Sequence, residues 1–142
     1  MKRQKTEEKV PIKKTQPIAI VIKNGAISGK YKVYYSEEDN GMFSSYIPGF
    51  EICYSSANYD EMMKRSKIMV AAFFDYWVKD NGWAQFIKHI SALGFKAPNH
   101  AFTMKQLLSR KLLSANLKAT HTEKQDGYKE SEIIEHEAEM AL

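Results

Sequence analysis

Three sets of side chains in this chain are of types that can do chemistry. The carboxylates come as Glu37, Glu38 and Asp39 in a run, Glu51 alone, and Asp60 with Glu61. Two-metal hydrolysis needs several carboxylates converging on one point. The first three acids fall in a predicted turn, and Asp60-Glu61 fall at a predicted helix start, where acids complement the helix dipole. That spacing argues against a metal-dependent nuclease. Cys53 is the single cysteine, and the histidines are His89, His100, His121 and His136. A thiol and an imidazole can form a nucleophile pair, but a lone cysteine in a strand is usually a small core residue. The histidines lie on a helix, a loop and the tail, without zinc-ligand spacing. There is no glycine-rich phosphate loop and no serine elbow. The chain is expected to be no enzyme, with no cofactor and no metal. The third set is basic: Lys105, Arg110, Lys111 and Lys118 are possible nucleic-acid contacts, since cationic side chains neutralise phosphates.

The elements that position these groups are clearest from Lys30 to Val78. Tyr31, Val33 and Tyr35 alternate with Lys30, Lys32 and Ser36, the period of a half-buried strand. Asn40-Gly41 marks a two-residue hairpin turn, because these residues tolerate positive φ. Met42 to Ile47 is a second strand. Pro48-Gly49 breaks it, since proline cannot donate to a ladder, and Phe50 to Tyr54 is a third. Asn58 with Glu61 forms a variant capping box and opens a long helix to about Asp80. Met62, Ser66, Met69, Phe73 and Trp77 make its sheet-facing stripe. Met63, Val70 and Phe74 widen the apolar arc, which calls for a second packing element. Gly82 stops the helix.

The residues Lys30-Tyr-Lys-Val-Tyr-Tyr, Asn40-Gly41-Met-Phe, Tyr46-Ile47-Pro48-Gly49-Phe50 and Asn58-Tyr-Asp-Glu-Met resemble the HicB antitoxin family in order and spacing. The resemblance covers about a third of the chain. It implies a partial RNase H fold and a small ribonuclease of the HicA type as partner. Many family members also carry a C-terminal helix-turn-helix or ribbon-helix-helix for operator DNA. Two departures stand out. The distance from Pro48-Gly49 to the helix cap is longer than usual, and Ser55-Ser56-Ala57 replaces the small Gly-Asp or Gly-Asn step, which implies a longer or bulged third strand.

Outside that stretch, Pro17 to Lys23 is a β-branched run followed by Asn24-Gly25, an added strand turning into the Lys30 strand. Its residues are apolar on both faces, so cover on both is expected, one side from an assembly contact. Trp83, Phe86, Ile87, Ile90 and Leu93 define a second helix, with Gly94 as its αL cap. Thr103 with Gln106 suggests a capping box opening a third helix, Met104 to about Leu117. Ser131 to Leu142 reads as a short acidic helix.

The length suits one domain, and a composition that is 44% hydrophobic and 12% aromatic is that of a globular protein. No apolar run is long enough to span a bilayer, no signal-peptide pattern is present, and the single cysteine forbids an internal disulfide. A cytoplasmic setting follows. The net charge of +4 is uneven: residues 1–16 carry +4, residues 17–118 carry +5 and residues 119–142 carry −5. Residues 1–16 read as a disordered basic leader, 17–118 as one α+β domain and 119–142 as a partly disordered acidic tail. The expected fold is a β-β-β-α core, an antiparallel sheet on a long helix, with an added N-terminal strand and C-terminal helices. Asn40, Gly41, Pro48, Gly49, Asn58, Glu61, Trp77 and Gly82 are its structural residues. The functional expectation is a non-enzymatic, homo-oligomeric HicB-like antitoxin that neutralises a HicA-type toxin, with Glu130, Glu132, Glu135 and Glu137 as partner contacts. The alternative is a nucleic-acid-binding accessory or regulatory protein using the basic C-terminal helix on DNA. No membrane role is expected.

Overall fold

The β-branched run at the start of the domain and the alternating glutamates at its end build the same sheet. The computed structural model describes residues 18–24, 26–119 and 126–139; the basic leader, His121 and the end of the acidic tail lie outside them. The elements in order are β1 (Ala19–Lys23), β2 (Ala26–Tyr31), β3 (Tyr34–Glu37), β4 (Phe43–Ile47), β5 (Ile52–Ser56), α1 (Tyr59–Phe74), α2 (Trp83–Ala92), β6 (Phe95–Lys96), α3 (His100–Leu108), β7 (Ser114–Ala119), β8 (Lys129–Glu130) and β9 (Ile134–Glu139). The protein is α+β, with two antiparallel sheets. One has five strands in the order β9-β2-β1-β7-β6, and the other has four in the order β5-β4-β3-β8.

The predicted Lys30–Ser36 strand is split between the two sheets. Val33 and Tyr34 are adjacent and both buried. A pleated strand points neighbours to opposite faces, so the chain leaves the first sheet after Tyr31 and enters the second at Tyr34. Ser131 holds the crossing: its hydroxyl accepts from the Val33 N–H at 2.9 Å and its own N–H donates to the Val33 carbonyl at 2.8 Å. The Asn40-Gly41 turn is a three-residue loop, not a two-residue one. The Glu38 N–H donates to the Met42 carbonyl and the Gly41 N–H to the Glu38 carbonyl. Only Gly41 has positive φ, at 87°, as in a type I turn closed by a left-handed residue.

The third strand begins at Ile52, not Phe50. Gly49 and Glu51 both take positive φ, and the turn they make drives Phe50 into the core. There its ring meets Tyr31, Phe73, Phe74 and Phe95 at centroid distances of 5.1–6.1 Å. The strand then runs on to Ser56, as the altered spacing before the cap requires.

Helix α1 is capped as predicted: Asn58 Oδ1 accepts from the Glu61 N–H at 2.8 Å, and Glu61 reaches back to the Ala57 N–H. Its buried face is Met62, Ser66, Val70 and Phe74. Trp77 is therefore not on the sheet-facing stripe. A π-helical turn, Asp75–Asp80, widens the winding after Phe74, and Trp77 turns toward α2, where its ring stacks on His89 at 3.8 Å. Trp83, Phe86, Ile87 and Ile90 of α2 are buried as expected, and Gly94 takes positive φ at its end.

The predicted third helix is shorter and earlier. It starts at His100, with Asn99 as its cap, so Thr103 and Gln106 are no capping box. It ends at Leu108, and Ser114–Ala119 is instead β7, paired with β1. The predicted acidic helix is likewise absent. Ile134–Glu139 is β9, paired with β2, and Lys129–Glu130 pairs with Tyr34–Tyr35. The fold thus has no C-terminal helices beyond α3 among the described residues.

Candidate partner-binding surfaces

The N-terminus of α1 and the C-terminal segment form a groove on the surface. The cap at Asn58 leaves Tyr59 and Asp60 exposed on the first turn. The pairings of β8 and β9 pin the C-terminal segment alongside that turn. Tyr59, Asp60, Met63, Lys67, Glu132 and Ile133 line the groove between them. Tyr59 and Ile133 are 36% and 37% exposed. Partial burial, the neighbouring Tyr35 and the carboxylates of Glu132 and Asp60 all push the Tyr59 phenol above its ordinary range. An exposed aromatic and an isoleucine, rimmed by the carboxylates of Asp60, Glu132 and Glu135 and by the ammonium of Lys67, is the composition of a protein-recognition patch.

The four predicted partner-contact acids do not form one patch. Glu132 and Glu135 line the groove. Glu130 is bound to Lys32 at 2.8 Å, and Glu135 lies 3.9 Å from Lys30. Glu137 lies on the outer face of the five-stranded sheet, opposite Ser28.

The four predicted nucleic-acid contacts do not share a helix. Lys105 is on α3. Arg110 follows it with a left-handed backbone, and its guanidinium lies 5.5 Å over the Trp83 ring. Trp83 in turn donates its indole N–H to the Leu107 carbonyl at 2.6 Å. Lys111 is in the loop after α3, and Lys118 points outward from β7. The basic C-terminal helix of the alternative reading does not form.

Cys53 is exposed on β5, not in the core as a lone strand cysteine usually is. The described histidines are engaged elsewhere. His100 accepts from the Ala97 N–H at Nδ1 and bonds Ser91 through Nε2 at 3.0 Å, which makes it a neutral ring protonated on Nε2. Burial, joined by Lys96, holds its pKa below the usual value. Burial does the same for His89, against an opposing pull from Glu51. His136 is on β9. Among the described residues no group of three histidine, cysteine or acidic side chains could hold a metal ion.

The apolar parts of the groove were missed by reading the tail as a helix. A signal was present: Glu135, Glu137 and Glu139 alternate with Ile134, His136 and Ala138, the period of a strand. That pairing is what brings Ile133 and Glu132 beside Tyr59.

No family model, curated protein or solved structure matches the chain. Among the described residues no helix is long and apolar enough to cross a membrane.

Proposed function

We propose that this chain is a non-enzymatic interaction protein of the HicB-like antitoxin type, acting in the cytoplasm to capture a small basic ribonuclease of the HicA type. The observation that carries the reading is the groove between α1 and the C-terminal segment. It joins Tyr59 and Ile133 to the carboxylates of Asp60 and Glu132. A ribonuclease that holds RNA phosphate has a cationic active surface, and a rim in which three carboxylates outnumber the one lysine, Lys67, complements it around an apolar anchor. The part of the family resemblance from Tyr34 onward adds support, because it runs in order through β3, β4 and β5 into α1, although Lys30 and Tyr31 belong to the other sheet. The rival reading, DNA binding by a basic C-terminal helix, has no such helix to stand on.

The test is co-expression with a small basic ribonuclease-like reading frame beside the gene. The intact chain is expected to restore growth arrested by that product and to co-purify with it. Tyr59→Ala with Glu132→Lys is expected to lose both while keeping the melting temperature of the parent. Full neutralisation by that double variant would remove the groove from the reading, and failure of the intact chain to restore growth would remove the antitoxin itself.

A further inference from the structure

The groove between α1 and the C-terminal segment holds more carboxylates than its one lysine offsets. Asp60, Glu132 and Glu135 line it against Lys67, around Tyr59 and Ile133. Asp60 and Glu132 have no ion pair among the described residues. Glu135 lies 3.9 Å from Lys30 with both side chains largely exposed, so its carboxylate stays open to a second cation. The sheet register fixes where the basic end of the chain enters. Ala19, Lys30 and Glu135 stand in one row across β1, β2 and β9. Two strand spacings, roughly 10 Å, separate the first residue of β1 from Glu135. Both β1 and β9 run antiparallel to β2, so they start at the same end of the sheet. Residues 1–16 therefore join the domain at its groove end.

The chemistry of those residues complements the lining of the groove. Six Lys/Arg against two Glu give them a charge of +4. Apart from Met1, their apolar side chains are consecutive: Val10, Pro11 and Ile12, with Lys9 before them and Lys13 and Lys14 after. An apolar triplet between cations matches an apolar lining between carboxylates. Pro11 fixes its own φ and biases Val10 toward extended backbone, so less freedom is lost on seating the triplet. The seven residue steps from Ile12 to Ala19 span at most roughly 25 Å. That is ample for the distance set by the row.

We propose, resting on the groove as the capture surface for a basic partner, that residues 9–14 of the same chain seat in it and compete with that partner. Val10 and Ile12 cover Tyr59 and Ile133, and the flanking lysines meet Asp60, Glu132 and Glu135. Tethering makes a weak contact count. A short linker sets a local concentration in the millimolar range, so a segment of millimolar intrinsic affinity fills the groove about half of the time. A partner then binds only the vacant fraction, and its apparent affinity falls about two-fold. A tightly binding partner displaces the segment, whereas weakly cationic proteins are kept out.

Carbodiimide coupling of lysines to carboxylates in the full chain tests this without any partner. At low salt, peptide mapping of the monomer is expected to join Lys9, Lys13 or Lys14 to Asp60, Glu132 or Glu135, and to lose these links at several-fold higher ionic strength. Val10→Ser/Ile12→Ser keeps every charge, and in it the same links are expected to fall several-fold. That drop separates a seated segment from lysines attracted by charge alone. Links spread evenly over acids outside the groove such as Glu38 and Asp80, links only between copies, or links unchanged in the double variant each overturn the proposal. Growth rescue from the ribonuclease is a separate readout. Mapped links without rescue uphold the seated segment and remove the antitoxin reading, and rescue without links does the reverse.

Discussion

Ile134 lies directly across from Tyr31 in the antiparallel ladder of β9 and β2, and both side chains are buried. Three residues earlier, Ser131 bonds both backbone groups of Val33 at the crossing between the two sheets. The acidic tail is therefore structural where it is described. Deleting residues 128–142 is expected to lower the melting temperature by more than about 10 °C or to leave the chain insoluble, because it strips a strand from each sheet. Ile134→Ala alone is expected to cost about 2–4 kcal/mol in urea unfolding. A truncated chain that melts with the parent would show that β9 contributes nothing to the core.

The helix face makes a second prediction. Phe74 is fully buried among Phe50, Phe73 and Phe86, whereas Trp77 is half-buried on His89. Phe74→Ala is expected to cost about 3–5 kcal/mol. Trp77→Ala is expected to cost clearly less, about 1–2 kcal/mol, since its side chain is only partly buried. Equal losses in paired denaturation curves would put Trp77 back on the sheet-facing stripe.

The sequence was most legible where one local signal decides the structure. Asn58 and Glu61 can satisfy the first-turn donors without help, and α1 begins where they say. Trp83, Phe86, Ile87 and Ile90 have one helical face to fill, and they fill it. It was least legible where tertiary pairing overrides local pattern. Leu107, Leu108, Leu112 and Leu113 have helical spacing, yet the helix stops at Leu108 and Arg110 turns left-handed, with no glycine or proline to announce it. Ser114 to Ala119 has little strand character of its own and becomes β7 only by lying against Ala19–Lys23. The stripe on α1 was displaced by one residue because Met69 and Phe73 share its edge with Val70 and Phe74, and periodicity cannot rank them. The groove followed from β9, so misreading the tail hid the groove as well.

The two helix-associated histidines give a pH prediction. Burial holds His89 and His100 below their ordinary value of 6.5 in the folded chain. Between the folded and unfolded values the unfolded state binds more protons, so stability rises with pH. Their contribution is full above about pH 6.5 and is lost as pH falls through that value toward the lower folded ones. Urea midpoints are expected to drop between about pH 7 and pH 5. In His89→Phe/His100→Gln the drop should shrink, because neither replacement titrates. An unchanged drop would assign the acid sensitivity to carboxylates.

Gly41 and Gly49 separate backbone strain from packing. Both sit at a φ of +87°, but a Cβ on Gly41 would meet nothing within 4 Å. A Cβ on Gly49 would lie 3.2 Å from Ile18 Cγ2, 3.2 Å from Phe95 Cζ and 3.3 Å from Ala119 Cβ. Alanine at either position suffers the left-handed penalty of about 1–2 kcal/mol. At Gly49 it must also displace the side chains of Ile18, just before β1, Phe95 of β6 and Ala119 of β7 in a close-packed core, which adds about 1–3 kcal/mol. Gly49→Ala is therefore expected to be the more destabilising, with the difference between the two variants measuring the packing contribution. That turn also seats Phe50 among Tyr31, Phe73, Phe74 and Phe95, so near-ultraviolet circular dichroism should weaken in Gly49→Ala and not in Gly41→Ala. Equal unfolding free energies, with both aromatic spectra intact, would show that the Pro48–Glu51 turn can move away from Ile18 and Phe95 without disturbing the core.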